Sequence, residues 1–271
     1  MRRQEEKIII KIEEKVTAII ASNGDLQEYH TDGEVSIDAY IVSSPKACIL
    51  FTNKIYGENN IELFDNHVPK IENCQFNHSV NNSSFHTNGN LQFIPIKDLK
   101  LLTYEKSDKD DFPFIIKANL FYLNNQKLIM ISLSVNTSKV PSYITANEIQ
   151  IHVPIPINVT LNKSINTRGR FEYTKPDRYG TWYLDSQAGG KIEEIVIILE
   201  YTINNKVKEI FWKKNPIKVN FKLPIAISKL SIASFYIPPL TTDETLMDYN
   251  VEIIYSSTSS FCEVHFDNLN D

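Results

Sequence analysis

Dense β-branched runs, broken at short intervals by turn-forming residues, set the outer limit on what this chain can fold into. The densest is KIIIKIEEKVTAIIA at Lys7–Ala21. Two heavy atoms on Cβ restrict χ1 and pack well on a pleated surface, so such a run predicts a strand. Alternation then puts Ile8, Ile10 and Ile12 on one face and Ile9, Lys11 and Glu13 on the other. A cation on that second face needs water or a partner, and a lysine on a solvated edge strand also discourages aggregation. Further segments of this kind lie at Glu34–Val42, Ala47–Phe51, Leu91–Ile96, Leu99–Tyr104, Phe114–Tyr122, Leu128–Val135 and Ile149–Val153. The series continues at Gly169–Tyr173, Thr181–Leu184, Glu194–Thr202, Ile217–Leu223, Leu230–Ile237 and Tyr249–Ser256. Outside them no window keeps the i, i+3, i+4, i+7 apolar spacing of a helix, so the pattern predicts β-sandwiches rather than an α/β sheet. Asn23-Gly24, between the first two runs, predicts a hairpin, because both residues tolerate positive φ.

Two stretches, Tyr56–Asn90 and Pro238–Asp248, read as poorly structured loops, since their polar residues bury too little apolar surface to offset ordering entropy. The first holds Cys74-Gln-Phe-Asn-His78 and His86. Structural zinc sites carry paired ligands at both ends, and one pair is visible here, so no metal is expected. Three cysteines in 271 residues fit a reducing compartment better than a disulfide scaffold. A net charge of −5 argues against nucleic acid as a partner. Apolar runs such as Ile195–Leu199 fall far short of the roughly 20 residues that cross a bilayer, and the start MRRQEEK lacks the apolar segment of a secretory signal. The Asn-x-Ser/Thr triplets at Asn158 and Asn162 read as chance matches in an asparagine-rich chain. No nucleophile elbow, zincin, P-loop or dinucleotide fingerprint occurs, and carboxylate groups such as Glu193-Glu194 or Asp108, Asp110 and Asp111 read as solvated. The expectation is a binding or assembly module without catalysis or cofactor.

The segments Ala146–Leu161 (ANEIQIHVPIPINVTL), Arg168–Asp185 (RGRFEYTKPDRYGTWYLD), Ala188-Gly189-Gly190-Lys191 and Asn215–Ile237 resemble the carboxy-terminal domain of the medium (mu) subunits of clathrin-type adaptor complexes. The opening hairpin resembles it too, with Gly24, Gly33, Tyr40 and Pro45 at corresponding places, as does Cys74–His78, which in the family is not a metal site. The resemblance implies an all-β, elongated mu-homology domain of two immunoglobulin-like β-sandwich subdomains. The outer one spans 1–111 and 222–271, and the inserted one 112–221. It implies a cargo- or partner-binding role in vesicle coats, on the cytoplasmic side of Golgi, endosomal or coated-vesicle membranes. The partners implied are tail peptides of membrane proteins or accessory-protein peptides, other adaptor subunits, and acidic phosphoinositides. Glu13-Glu14 and KVNFKL lean toward the third adaptor complex. The alternatives are a delta-coatomer-type domain that recognises tryptophan-based motifs and, from another class, a carbohydrate-active β-sandwich.

The family's usual ligand is a tyrosine, two arbitrary residues and a bulky apolar residue, added as a strand to a sheet edge. Its tyrosine pocket has an aromatic and an aspartate on strand one, a lysine on strand two and a late arginine. Those positions fall on Ile9, Lys11, Asp38 and Ile254, with Glu252 at a neighbouring tryptophan position. The aromatic is missing, the two charges are exchanged, and Lys11 is expected to face Asp38. The apolar pocket falls on Ile8, Ile10, Ile232 and Phe235, which are also ordinary core types. A phosphoinositide surface maps to Arg168 and Arg170, helped by Lys175 and Arg178, with Glu172 where the family has a lysine. Arg168 and Arg170 are expected on one strand face.

Overall fold

The computed structural model describes residues 6–41, 45–56, 62–65, 69–156, 159–173, 178–201, 215–238 and 249–266. The strands are β1 (Lys7–Ala21), β2 (Leu26–Tyr40), β3 (Ala47–Tyr56), β4 (Glu62–Asp65), β5 (Glu72–Phe76), β6 (Asn90–Phe93), β7 (Leu99–Lys106), β8 (Ile115–Leu123) and β9 (Leu128–Asn136). They continue as β10 (Thr145–Pro154), β11 (Val159–Asn166), β12 (Arg170–Tyr173), β13 (Tyr179–Ala188), β14 (Ile192–Tyr201), β15 (Ile217–Leu223), β16 (Leu230–Tyr236) and β17 (Asn250–His265). One helical turn, α1 (Phe85–Asn88), and two 3₁₀ turns complete the described elements. The chain is all-β, as its β-branched runs predict.

The hairpin falls where Asn23-Gly24 places it. Gly24 adopts φ +93°, its N–H donates to Ala21 O, and the Ala21 N–H donates to Asp25 O at 2.8 Å. The expected loop Tyr56–Asn90 is more ordered than its composition implies. It contributes β4, β5 and α1, because tertiary partners supply the burial that the local sequence lacks. Phe85 is buried, and its ring meets Phe51, Phe76 and His86 edge-on. β11 was not expected, and β17 continues well beyond Ser256. Of the second expected loop, residues 239–248 lie outside the described residues.

Nine strands follow the order β12-β13-β10-β15-β17-β1-β2-β7-β5, four form β11-β14-β9-β8, and four-stranded pairing around β3 joins β16, β4 and β6. The chain divides into two compact units. Unit one comprises Met1–Lys15, Thr31–Ser107 and Pro224–Ser257, and unit two comprises Val16–His30, Asp108–Leu223 and Thr258–Asp271. The partition read from the sequence, 1–111 and 222–271 around 112–221, differs in the long strands. β1, β2 and β17 each contribute residues to both units, so 16–30 and 258–271 group with 108–223.

Unit one closes on Ile8, Ile10 and Ile12 of β1, Val35 and Ile37 of β2, Ile49 and Phe51 of β3 and Leu101, Leu102 and Tyr104 of β7. Unit two buries Trp182, whose indole N–H donates to Arg168 O at 2.9 Å, and an aromatic group in which Phe221 meets Phe112 and Phe114 edge-on. Those edge-to-face contacts follow the ring quadrupole.

Candidate functional site

Alternation along β1 buries Ile8, Ile10 and Ile12 and turns Ile9 and Lys11 outward. Lys11 meets Asp38 of the neighbouring β2, with Nζ 2.9 Å from Oδ2. The Asp38 side chain is 14% exposed and that of Lys11 35%. Asp38 also accepts the Asp98 backbone N–H at 3.0 Å. The Lys11 hydrogen bond, followed by that N–H, holds the Asp38 carboxyl below its ordinary range, and the same bond raises Lys11. The outer face of the β1–β2 hairpin thus carries a closed ion pair.

On the other side of β1 runs the start of β17. The Asn250 N–H donates to Glu6 O, Lys7 pairs with Glu252 at 2.8 Å, and Ser257 Oγ reaches Glu14 further on, so the two strands advance in the same sense. β15 lies beside the later part of β17, where the Phe221 N–H donates to Ser259 Oγ. Past Leu223 the chain turns away, and Ser257 Oγ lies 2.6 Å from Ile225 O there. Among the described residues no strand covers the outer edge of Asn250–Ile254. The consequence is visible in burial. Val251, Ile253 and Ile254 are each 37% exposed, and Val251–Ile254 is exposed without interruption. Since Glu252 faces Lys7, alternation puts Ile254 on the side of Ile9 and Lys11.

The expected apolar pocket is largely interior. Ile8 and Ile10 are fully buried and Ile232 nearly so, while Phe235 is half-buried against the same core. The sequence-based reading of Ile8 and Ile10 as a ligand-facing wall is therefore corrected, because the odd-numbered residues of β1 face outward. Tyr255 links β17 to β16: its hydroxyl lies 3.2 Å from Ser231 Oγ and accepts the Ile232 N–H.

Glu14, noted in the sequence only as half of the Glu13-Glu14 pair, lies on the buried face of β1, a role that reading did not give it. It accepts hydrogen bonds from Tyr104 Oη (2.6 Å), Ser257 Oγ (2.7 Å) and the Ile227 N–H (2.5 Å). The Ser228 N–H lies at 3.3 Å. Tyr104 reaches it by lying across Gly33, its register partner, where an added Cβ would stand 2.1 Å from Cζ. Parity was the available signal: Glu14 continues the Ile8, Ile10, Ile12 series.

The basic surface is also rearranged. Arg170 opens β12, whereas Arg168 precedes it before Gly169 at φ +79°, so the two do not share a strand face. Arg170 binds Glu172 (2.8 Å) and Asp185 (2.9 Å) and stacks on Tyr183. Arg168 donates to Ser186 O, Arg178 is exposed, and Lys175 lies outside the described residues.

The model of the adaptor complexes medium subunit family matches residues 1–260, and the chain belongs to that family. The AP-2 complex subunit mu of Caenorhabditis elegans is 22% identical over 239 residues, covering 85% of this chain and 53% of that protein. Its counterpart in Schizosaccharomyces pombe is 22% identical over 237 residues, covering 82% and 52%. The chain thus spans about half the length of these curated relatives. Among solved structures, the yeast delta-COP-I mu-homology domain complexed with a Dsl1 WxWxV peptide superposes with a TM-score of 0.68, at 14% identity and 97% and 100% coverage. The Danio rerio Fcho1 mu-homology domain with a bound Eps15 peptide gives 0.65, at 10% identity and 98% and 99% coverage. The fold is that of a mu-homology domain.

Proposed function

We propose that this domain is a peptide-binding module of a vesicle-coat or adaptor assembly, and that it takes an extended segment of a cargo tail or accessory protein as an added strand on the open edge at Val251–Ile254. The uninterrupted exposure of that edge carries the reading. Backbone groups supply affinity in β-augmentation, and side-chain pockets at alternate positions supply choice. Here Ile254 and Ile9 offer apolar contact on one face, with Phe235 and the margin of Ile232 toward β16. The place of action is the cytoplasmic surface of a coated membrane, with other coat subunits as neighbours.

The closed Lys11–Asp38 pair sets the specificity. A tyrosine hydroxyl entering there meets an ammonium already engaged by a carboxylate, and its ring finds Ile9 in place of an aromatic wall. A hydrogen bond to a charged group contributes about 1.5–3 kcal/mol and an aromatic contact about 0.5–1.5 kcal/mol, so ordinary tyrosine signals bind tenfold or more below the usual strength. Calorimetry tests this with the full chain, a tyrosine-signal peptide and the Lys11→Asp, Asp38→Lys exchange. The expected result is weak binding that the exchange improves. Tight binding by the unmodified chain, lost on exchange, overturns it. A tryptophan-motif peptide belongs in the same titration, since the missing aromatic wall also suits a ligand that brings its own indole and the delta-COP-I domain above was solved with such a peptide. Binding of any of these peptides should disappear with Val251→Asp and Ile253→Asp.

A further inference from the structure

In unit two, β11 ends the order β11-β14-β9-β8. One residue past it, the Thr167 N–H donates to Glu194 O of β14 at 2.9 Å. Backbone direction repeats every second residue, so Lys163 and Ile165 turn their N–H and C=O groups toward β14, where they oppose Ile198 and Val196, and Ser164 and Asn166 turn theirs away. Among the described residues nothing meets those outward groups of Ser164 and Asn166. The stretch is short. A bulge between Leu161 and Lys163 interrupts it at one end. At the other, the Asn166 side-chain amide donates to Arg168 O (2.9 Å) and Gly169 O (2.7 Å) and fixes the exit of the strand. A long, flat, apolar edge invites aggregation, whereas a bulged edge of four residues with a lysine on it has room for a short partner only.

The side chains along this edge differ by face. Lys163 and Ile165 stand two residues apart on the outer face, both exposed and Ile165 by 52%, while Ser164 and Asn166 are half-buried on the other. Behind Ile165 the outer face continues with Val196 of β14, and behind Lys163 with Ile198 and then Met130 of β9. An apolar side chain set beside Ile165 therefore lengthens an apolar row. Among the described residues Lys163 has neither an ion pair nor a hydrogen-bond partner. The sequence from Ile149 to Phe171 holds no aspartate or glutamate, in a chain that has 33 of them. The acids of β14 on this face, Glu194 and Glu200, stand opposite Thr167 and Thr160, to either side of the lysine.

We propose that the Lys163–Asn166 edge of β11 accepts a short extended peptide that carries a carboxylate and a bulky apolar residue two positions apart. The outward backbone groups of Ser164 and Asn166 select a strand. On the outer face, Lys163 selects the carboxylate and Ile165 the apolar side chain, as cross-strand neighbours do. A second copy's β11 brings no acid to Lys163. The test is fluorescence anisotropy of the full chain with labelled Thr-Glu-Thr-Ile-Thr and with its reverse, Thr-Ile-Thr-Glu-Thr, one for each strand direction. One of the two is expected to bind, at least tenfold more weakly when its glutamate becomes lysine, when its backbone carries N-methyl groups, or when the protein carries Lys163→Glu. The lysine probe should regain binding on the Lys163→Glu protein. Ser164→Pro should abolish binding and leave the circular dichroism spectrum unchanged, since the N–H it removes points away from β14. Val251→Asp with Ile253→Asp should leave the affinity unchanged, which separates this site from the β17 edge. Failure of both probes overturns the proposal, as does equal binding of the N-methylated probe or indifference to Lys163→Glu. Lys163-dependent attachment to phosphatidylserine vesicles without peptide binding overturns it in favour of lipid, and self-association that Ser164→Pro removes overturns it in favour of a second copy.

Discussion

Glu14 brings a carboxylate into the interior of unit one, 2% exposed, and four donors meet it there. It fixes the turn Ile225–Ser228 to β1 and to Ser257, so its loss would take this acceptor from Tyr104 Oη and from the Ile227 and Ser228 N–H groups, while Ser257 Oγ keeps Ile225 O. Each unmet buried group costs about 1–3 kcal/mol. Glu14→Ala should therefore lower the unfolding free energy by about 3 kcal/mol or more, read from urea denaturation, whereas Tyr104→Phe should cost about 1 kcal/mol. Gly33→Ala should approach the larger value, because the new methyl displaces the Tyr104 ring that reaches Glu14. The Lys11–Asp38 pair behaves differently. Asp38 titrates below its ordinary 3.8, so its contribution is present above that pH and is lost as pH falls through the lowered value. Lys11 titrates above 10.5, so its contribution is present below that pH and is lost as pH rises through the raised value. Asp38→Asn should cost about 0.2–1 kcal/mol across the neutral range, with the difference from wild type closing in acid and in strong base. The pairing of these two residues was legible through the resemblance, which set Lys11 and Asp38 at facing pocket positions, and the hairpin signal at Asn23-Gly24 agreed with it. Glu14 was not legible, since its donors lie at sequence separations of 90 to 243 residues.

At the scale of elements, β12 shows why charge in the sequence is a poor guide to an anion site. Arg170 has both carboxylates it can use, from Glu172 and Asp185, and its face is occupied by Tyr183. Sedimentation with phosphoinositide vesicles should therefore change little for Arg168→Glu with Arg170→Glu, and should rise, in a salt-sensitive way, for Glu172→Lys with Asp185→Asn, which release the guanidinium. The same dependence on distant partners hid β5 and α1. The stretch around Phe76 and Phe85 is polar, yet those two rings complete a cluster with Phe51 that no local window contains. Strands that supply their own apolar alternation, such as β1, β9 and β15, were legible for the opposite reason. The uncovered start of β17 was legible only as a strand, because exposure at its edge depends on where β15 ends.

For the whole molecule, the sharing of β1, β2 and β17 by both units decides how it can be cut. Joining Ser107 to Pro224 removes most of unit two but leaves Val16, Ala18, Ile20, Tyr29, Cys262 and Val264, all buried in the intact chain, with their covering removed. At about 1.5–3 kcal/mol for each large buried apolar side chain, the lost burial is of the same size as the whole stability of an ordinary domain. This deletion should yield insoluble protein, whereas the intact chain elutes as a folded species with a circular dichroism spectrum dominated by strand.

The partnership of β1 with β17 also governs when the molecule can be complete. Glu14 waits for Ser257, 243 residues later, and the Glu6 carbonyl waits for Asn250. Such contact order makes closure slow, because the entropy of a very long loop must be lost before any bond rewards it. During translation the β17 flank of β1 stays bare until β17 itself has left the ribosome, exposing a strand rich in isoleucine to nascent neighbours and to chaperones. The edge at Val251–Ile254 exists only after β17 docks, so a nascent chain that has not yet extruded β17 has no such edge to offer a peptide.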